Sequence, residues 1–165
     1  MKIQIGGLSD GIHRYRFQIA SARLQLGERF INDVVIDATL DKSGSQMLFT
    51  ASVQTVARFE CDRCVRAFDS PLSAAYTMVY AVEGTDADQL DPAEFQVIPA
   101  GLHVIDITED VRQSIQLAVP LKLLCSENCK GLCPTCGQDL NAGSCSCTQE
   151  EVDTRWEGLR RLRAN

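Results

Sequence analysis

Histidine is nearly absent from this chain. Its 165 residues include two, His13 and His103, and neither falls in a metal-binding dyad or an H-E-x-x-H spacing. There is no glycine-rich phosphate loop, no G-x-S-x-G elbow and no paired-carboxylate signature, so the sequence is read as non-enzymatic. No run reaches the roughly eighteen uninterrupted apolar residues of a membrane span. The opening MKIQIGGLSDGIH has neither a long apolar region nor a small-residue cleavage site. The expectation is therefore a cytoplasmic protein in a reducing compartment, where structural disulfides are rare. Between Glu83 and Asp110 there is no Lys or Arg against eight Asp and Glu. The net charge of −6 argues against a general polyanion binder. Outside that segment, however, −6 − (−8) leaves +2, and groups such as Arg14, Arg16 and Arg23 or Arg160, Arg161 and Arg163 could meet RNA, with ordinary solvated faces as the favoured reading.

A hydrophobic fraction of 45% with 23% charged residues suits a single globular domain. Residues 1–82 read mainly as strands. Met47, Phe49, Ala51, Val53, Thr55, Ala57 and Phe59 alternate with a mostly polar set, the period-two signature of a half-buried strand. Val34 to Leu40 is a second candidate, joined to it by a polar turn around Gly44, and Leu72, Ala74, Tyr76, Met78, Tyr80 and Val82 mark one face of a third. Residues 83–100, acidic and without a sustained period, read as a loop. Over 104–120 a short strand precedes a helix with Thr108 as its cap, Val111, Ile115 and Ala118 or Val119 as its apolar stripe, and Pro120 as its stop. Residues 125–147 form a cysteine-rich segment. Thr148 and Glu151 make a capping box for a last helix, 148–163, in which Trp156 is a docking residue. The predicted fold class is α+β: an antiparallel β-sheet meander with a few helices and a cysteine-rich, zinc-binding C-terminal region.

All eight cysteines fall in dyads: Cys61–Cys64, Cys125–Cys129, Cys133–Cys136 and Cys145–Cys147. Two to four residues of spacing within a dyad lets two sulfurs converge on one tetrahedral ion, and a second dyad closes the other edge. Eight thiolates suffice for two zinc ions. The short stretch Gly137 to Ser144 favours one compact site from Cys133, Cys136, Cys145 and Cys147, leaving Cys61 and Cys64 to meet Cys125 and Cys129. Pairing of Cys61–Cys64 with a terminal dyad stays open. Disulfides fit less well, because a C-x-C pair would close a very small strained ring. An iron–sulfur centre takes the same ligands, but nothing in the sequence marks electron transfer. Arg58, Arg63 and Arg66, around the first dyad, are candidates for meeting phosphate or a partner, with ion pairing to Glu60, Asp62 and Asp69 as the competing reading.

The ordered set ECDRC followed by Phe68, the helix DITEDVRQSIQLAVPLKLLC and the block CKGLCPTCGQDLN (Cys129 to Asn141) resembles the bacterial YceD-like family of large ribosomal RNA subunit accumulation proteins. The match runs from about Cys61 to Cys147. Ala118, Val119, Pro120 and Leu121 stand where the family has its ALPL-like helix end. The resemblance implies a small factor supporting large-subunit ribosomal RNA accumulation or ribosome assembly. Its partner would be the precursor RNA or a ribosomal or assembly protein, with no membrane and no small-molecule substrate. Members share the early C-x-R-C most widely, which singles out Cys61, Arg63 and Cys64. The alternative reading is a redox-regulated zinc chaperone, in which oxidation expels zinc and exposes apolar surface.

Overall fold

The computed structural model describes residues 1–84 and 95–147. Four strands follow one another as an antiparallel meander: β2 (Gly11–Ile19), β3 (Val34–Ser43), β4 (Gln46–Glu60) and β5 (Ala67–Val82). A fifth, β6 (Phe95–Ile98), lies beside β5 but runs parallel to it, so the sheet is mixed. The loop reading of 83–100 is corrected at this point. Four residues, of which only Ile98 is buried, are too few to show a period. The rest of that segment, 85–94, lies outside the described residues, as do the capping box, Trp156 and the last predicted helix.

β1 (Lys2–Gln4) pairs with β7 (Val104–Asp106) in a separate two-stranded sheet. α1 (Thr108–Leu117) follows at once and packs on β5 and β4 through Val111 and Ile115, both buried. Thr108 is the first helical residue rather than the cap. Asp106 supplies the acceptor instead, its Oδ1 taking the Thr108 N–H at 3.0 Å. The α+β class holds, with one α-helix and one 3-10 turn (Ser21–Leu24) among the described residues. None of their helices is long and apolar enough to cross a membrane.

β4 repeats its sequence alternation in space: Met47, Phe49, Ala51, Val53, Thr55, Ala57 and Phe59 are all buried. Phe49 is fully enclosed, with the Tyr76 and Tyr80 rings 5.8 and 6.5 Å away, and burying such a ring stabilises by roughly 2–3 kcal/mol. Leu40, Ile36 and Val34 of β3 complete the inner face, and Ile107, Val111 and Ile115 cover it. No cysteine belongs to this core. Cys61, Cys64 and Cys129 form a second buried cluster with Leu124 and Cys125, and Phe68 packs against both clusters.

Candidate metal centres

The first site is built on the tip of the β4–β5 hairpin. Glu60 and Ala67 are its last paired residues, and the loop between them carries Cys61 and Cys64. The loop is held by two backbone bonds, Cys61 N–H to the Arg66 carbonyl at 3.0 Å and Val65 N–H to the Cys61 carbonyl at 2.9 Å. The chain beyond α1 is gripped by the same tip. Asp62 exchanges bonds with Leu123 in both directions, at 2.8 and 2.7 Å, and the Arg63 guanidinium donates to the Cys129 carbonyl at 2.7 Å. These contacts bring Cys125 and Cys129 over Cys61 and Cys64. The Cys64–Cys125 and Cys61–Cys129 sulfurs are 3.6 and 3.8 Å apart. A tetrahedron with metal–sulfur bonds of about 2.3 Å has edges of about 3.8 Å, whereas a disulfide needs about 2.05 Å. At this spacing the four sulfurs could hold one ion.

The second site repeats the turn. Cys133 N–H bonds the Gln138 carbonyl at 2.8 Å, Gly137 N–H bonds the Cys133 carbonyl at 2.9 Å, and Leu132 pairs with Asp139 as Glu60 does with Ala67. Cys145 and Cys147 close it, and within each tetrad the four sulfurs lie within 4.8 Å of one another. The pairing favoured from loop length is the one observed. The sites differ in exposure: Cys61, Cys64 and Cys129 are buried, while Cys136 and Cys147 face solvent.

The same electrostatic conflict appears in both tetrads. Burial resists ionisation of Cys61, but the N–H groups of Cys125, Arg63 and Cys64 outweigh it and bring the thiol down to about 6. N–H donors at Cys136 and Thr135 bring Cys133 down to about 6 as well. Burial and the crowding of Cys64 and Cys129 then push Cys125 up to about 12, and Cys136 and Cys133 do the same to Cys147. A tetrad can ionise in part on its own. A cation among the sulfurs would offset that crowding and favour the thiolate forms.

The three arginines flanking the first dyad all have intramolecular acceptors. Arg58 makes a two-pronged pair with Asp69 at 2.7 and 3.0 Å, Arg66 bonds Asp139 at 2.7 Å, and Arg63 bonds the carbonyls of Cys129 and Glu127. The histidines stay out of the tetrads: His13 contacts the Ser9 carbonyl, and the His103 backbone carbonyl accepts from Ile5 and Gly6. Sequence reasoning missed Asn141 and Asp139. The Asp139 Oδ1 accepts both the backbone and side-chain N–H groups of Asn141, and the Asn141 amide donates to the Cys129 sulfur at 3.4 Å. The available signal was an Asp-x-Asn spacing inside a loop already marked as metal-wrapping.

Comparison with known proteins matches residues 49–163 to a family described as large ribosomal RNA subunit accumulation protein YceD. A large ribosomal RNA subunit accumulation protein YCED homolog 1, chloroplastic, of Arabidopsis thaliana is 22% identical over 98% of this chain and 59% of its own length. Its Zea mays counterpart is 40% identical over 46% of this chain and 26% of its own length. An uncharacterized protein of Mycobacterium bovis is 27% identical over 75% of this chain and 59% of its own. The chain thus spans between a quarter and about three-fifths of these relatives. No solved structure matches.

Proposed function

The chain belongs to the YceD family of large ribosomal RNA subunit accumulation proteins, and from that premise we propose a zinc-stabilised, non-enzymatic factor that supports large-subunit ribosomal RNA accumulation. One observation carries the zinc reading: two cysteine tetrads, each built from two dyads, the first with sulfur spacings of 3.6 and 3.8 Å. A four-cysteine set of this kind is the donor chemistry of structural zinc. Cys61, Cys64, Cys125 and Cys129 would hold one ion and Cys133, Cys136, Cys145 and Cys147 the other. A bound ion supplies folding energy by locking together segments that are far apart in the chain. With four protein ligands a site keeps no open position for activating water, which supports a binding role over a catalytic one. The net charge of −6 supports a basic ribosomal or assembly protein as the direct partner at least as well as the RNA itself.

The test is depletion in the source cell, with the ratio of large- to small-subunit ribosomal RNA as readout. The ratio is expected to fall, and to recover with the wild-type chain but not with Cys61→Ser/Cys64→Ser. A ratio unmoved by depletion would overturn the ribosomal role. Purified protein without stoichiometric zinc would overturn the metal role.

A further inference from the structure

The two tetrads touch through a residue that ligates in neither. Asn141 lies in the loop 137–144, between Cys136 and Cys145 of the second tetrad, yet its Nδ2 donates to the Cys129 sulfur of the first at 3.4 Å. The orientation of the amide is fixed by its neighbour. Asn141 Oδ1 accepts the Lys130 N–H at 2.8 Å, and a backbone N–H can only donate, so the NH₂ must point the other way, at the sulfur. Asp139 steadies Asn141 through its Oδ1 and takes Arg66, from the first knuckle, on its Oδ2 at 2.7 Å. Backbone bonds run alongside, Leu132 N–H to the Arg63 carbonyl at 3.1 Å and Leu140 N–H to the Gly131 carbonyl at 2.9 Å.

Four thiolates around a dication carry excess negative charge, and an N–H donor to one of them offsets part of it. Outer donors of this kind typically change metal affinity ten- to hundredfold. Asn141 reaches Cys129 only while the loop 137–144 keeps its fold, and that loop is strung between two ligands of the second site. We propose that the two ions bind cooperatively, with Asn141 as the positioning residue that couples them. An ion at Cys133, Cys136, Cys145 and Cys147 holds Asn141 on Cys129 and so raises affinity at Cys61, Cys64, Cys125 and Cys129. Linkage requires the same factor in the reverse direction. The inference rests on the reading that both tetrads hold ions.

The test loads the full chain with cadmium-113, which gives one resonance per four-thiolate site, and follows each resonance against a competing chelator. Asn141→Ala removes no ligand and is expected to weaken both sites by about ten- to hundredfold. Cys145→Ser/Cys147→Ser should weaken the first site similarly, and adding Asn141→Ala to that background should weaken it no further. Loss at the first site alone in Asn141→Ala would make the contact local and overturn the coupling. So would an unshifted first-site curve in the double serine variant, or losses that add. Should the serine variant fail to fold, Asn141→Ala decides alone by whether both curves move. Binding of no cadmium at either site would sink the metal reading itself, an outcome distinct from two ions held with independent curves.

Discussion

Val65 and Gly137 occupy the same place in two copies of one turn. Each follows the second cysteine of a C-x-x-C pair, with φ of 59° and 74°, and each donates its N–H to the carbonyl of the first cysteine at 2.9 Å. Glycine enters this left-handed region freely, whereas a β-branched residue crowds its own backbone there. Val65 is also 56% exposed, so its side chain recovers little by burial. The first knuckle is a strained version of the second.

Exchanging these residues should therefore have opposite effects. The left-handed conformation costs a non-glycine residue about 1–2 kcal/mol. Glycine returns about 0.5–1 kcal/mol of that as chain entropy lost on folding. Val65→Gly should stabilise the metal-loaded protein by up to about 1 kcal/mol, and Gly137→Val should destabilise it by up to about 1 kcal/mol. Thermal denaturation at fixed metal concentration reads both. A Val65→Gly protein that melts lower would show that the valine side chain makes a contact outweighing the strain.

Gly131 should tolerate no side chain. A Cβ there would lie 3.0 Å from the Arg63 carbonyl oxygen, on a backbone already at φ +79°. Gly131→Ala must push Arg63, whose guanidinium holds the Cys129 carbonyl, or distort the turn between Cys129 and Cys133. Both Gly131→Ala and Arg63→Ala are expected to speed metal release to a chelator by about tenfold or more, as loss of a supporting contact to a metal ligand does. Unchanged release from Arg63→Ala would mean that the Asp62–Leu123 exchange holds the second dyad by itself.

Much of this arrangement was legible because periodicity and spacing are local signals. Phe49 and its alternate neighbours had to share a face, and Gly137 to Ser144 is short enough to bring Cys145 back to Cys136. What escaped depends on contacts distant in the chain. Phe95–Ile98 becomes a strand because β5 offers an edge, not because of its own pattern. Thr108 has the right chemistry for a cap, yet Asp106 takes the role from the end of a strand paired with Lys2–Gln4. The likeness of Val65 to Gly137 was hidden by the difference in residue type, and Asn141 on Cys129 links a loop of one site to a ligand of the other.

The start of α1 should make stability pH-dependent in the acid range. The Thr108 hydroxyl, the Met1 amino group and the Thr108 N–H, in that order, hold the Asp106 carboxyl well below the usual carboxylate range. A carboxyl depressed in the folded state stabilises fully above its unfolded value of about 3.9, and that contribution fades as pH falls below it. Arg112 acts likewise on Glu109, bringing it to about 2, so the two contributions must be separated. Asp106→Asn keeps an acceptor for Thr108 without the charge. Its unfolding midpoint should fall less steeply than wild type between about pH 4 and 2, whereas Asp106→Ala should lose about 1 kcal/mol even at neutral pH. Parallel curves for wild type and Asp106→Asn would remove Asp106 from the acid transition.

Metal removal should melt one part of the chain and spare the other. The sheet core around Phe49, Leu40 and Ile115 contains no cysteine, and the thiol cluster meets it chiefly at Phe68. Beyond Leu123, the segment reaching Cys147 has no strand or helix of its own and is held by turns, by contacts to Arg63 and Arg66, and by the tetrads. Structural zinc contributes about 10–16 kcal/mol of apparent binding energy in small peptides, so an ion of that kind held here would supply more than those few contacts can replace. Hydrogen exchange after chelation should therefore show protection lost over residues 125–147 and kept along β3, β4 and β5. Thiol alkylation of the stripped protein should reach all six cysteines from Cys125 to Cys147, including Cys129 and Cys133, which are buried in the folded state. Protection that survives chelation over 125–147 would mean that the turns fold without an ion. Protection lost along β4 as well would mean that the core depends on the hairpin tip, and that the two clusters unfold as one.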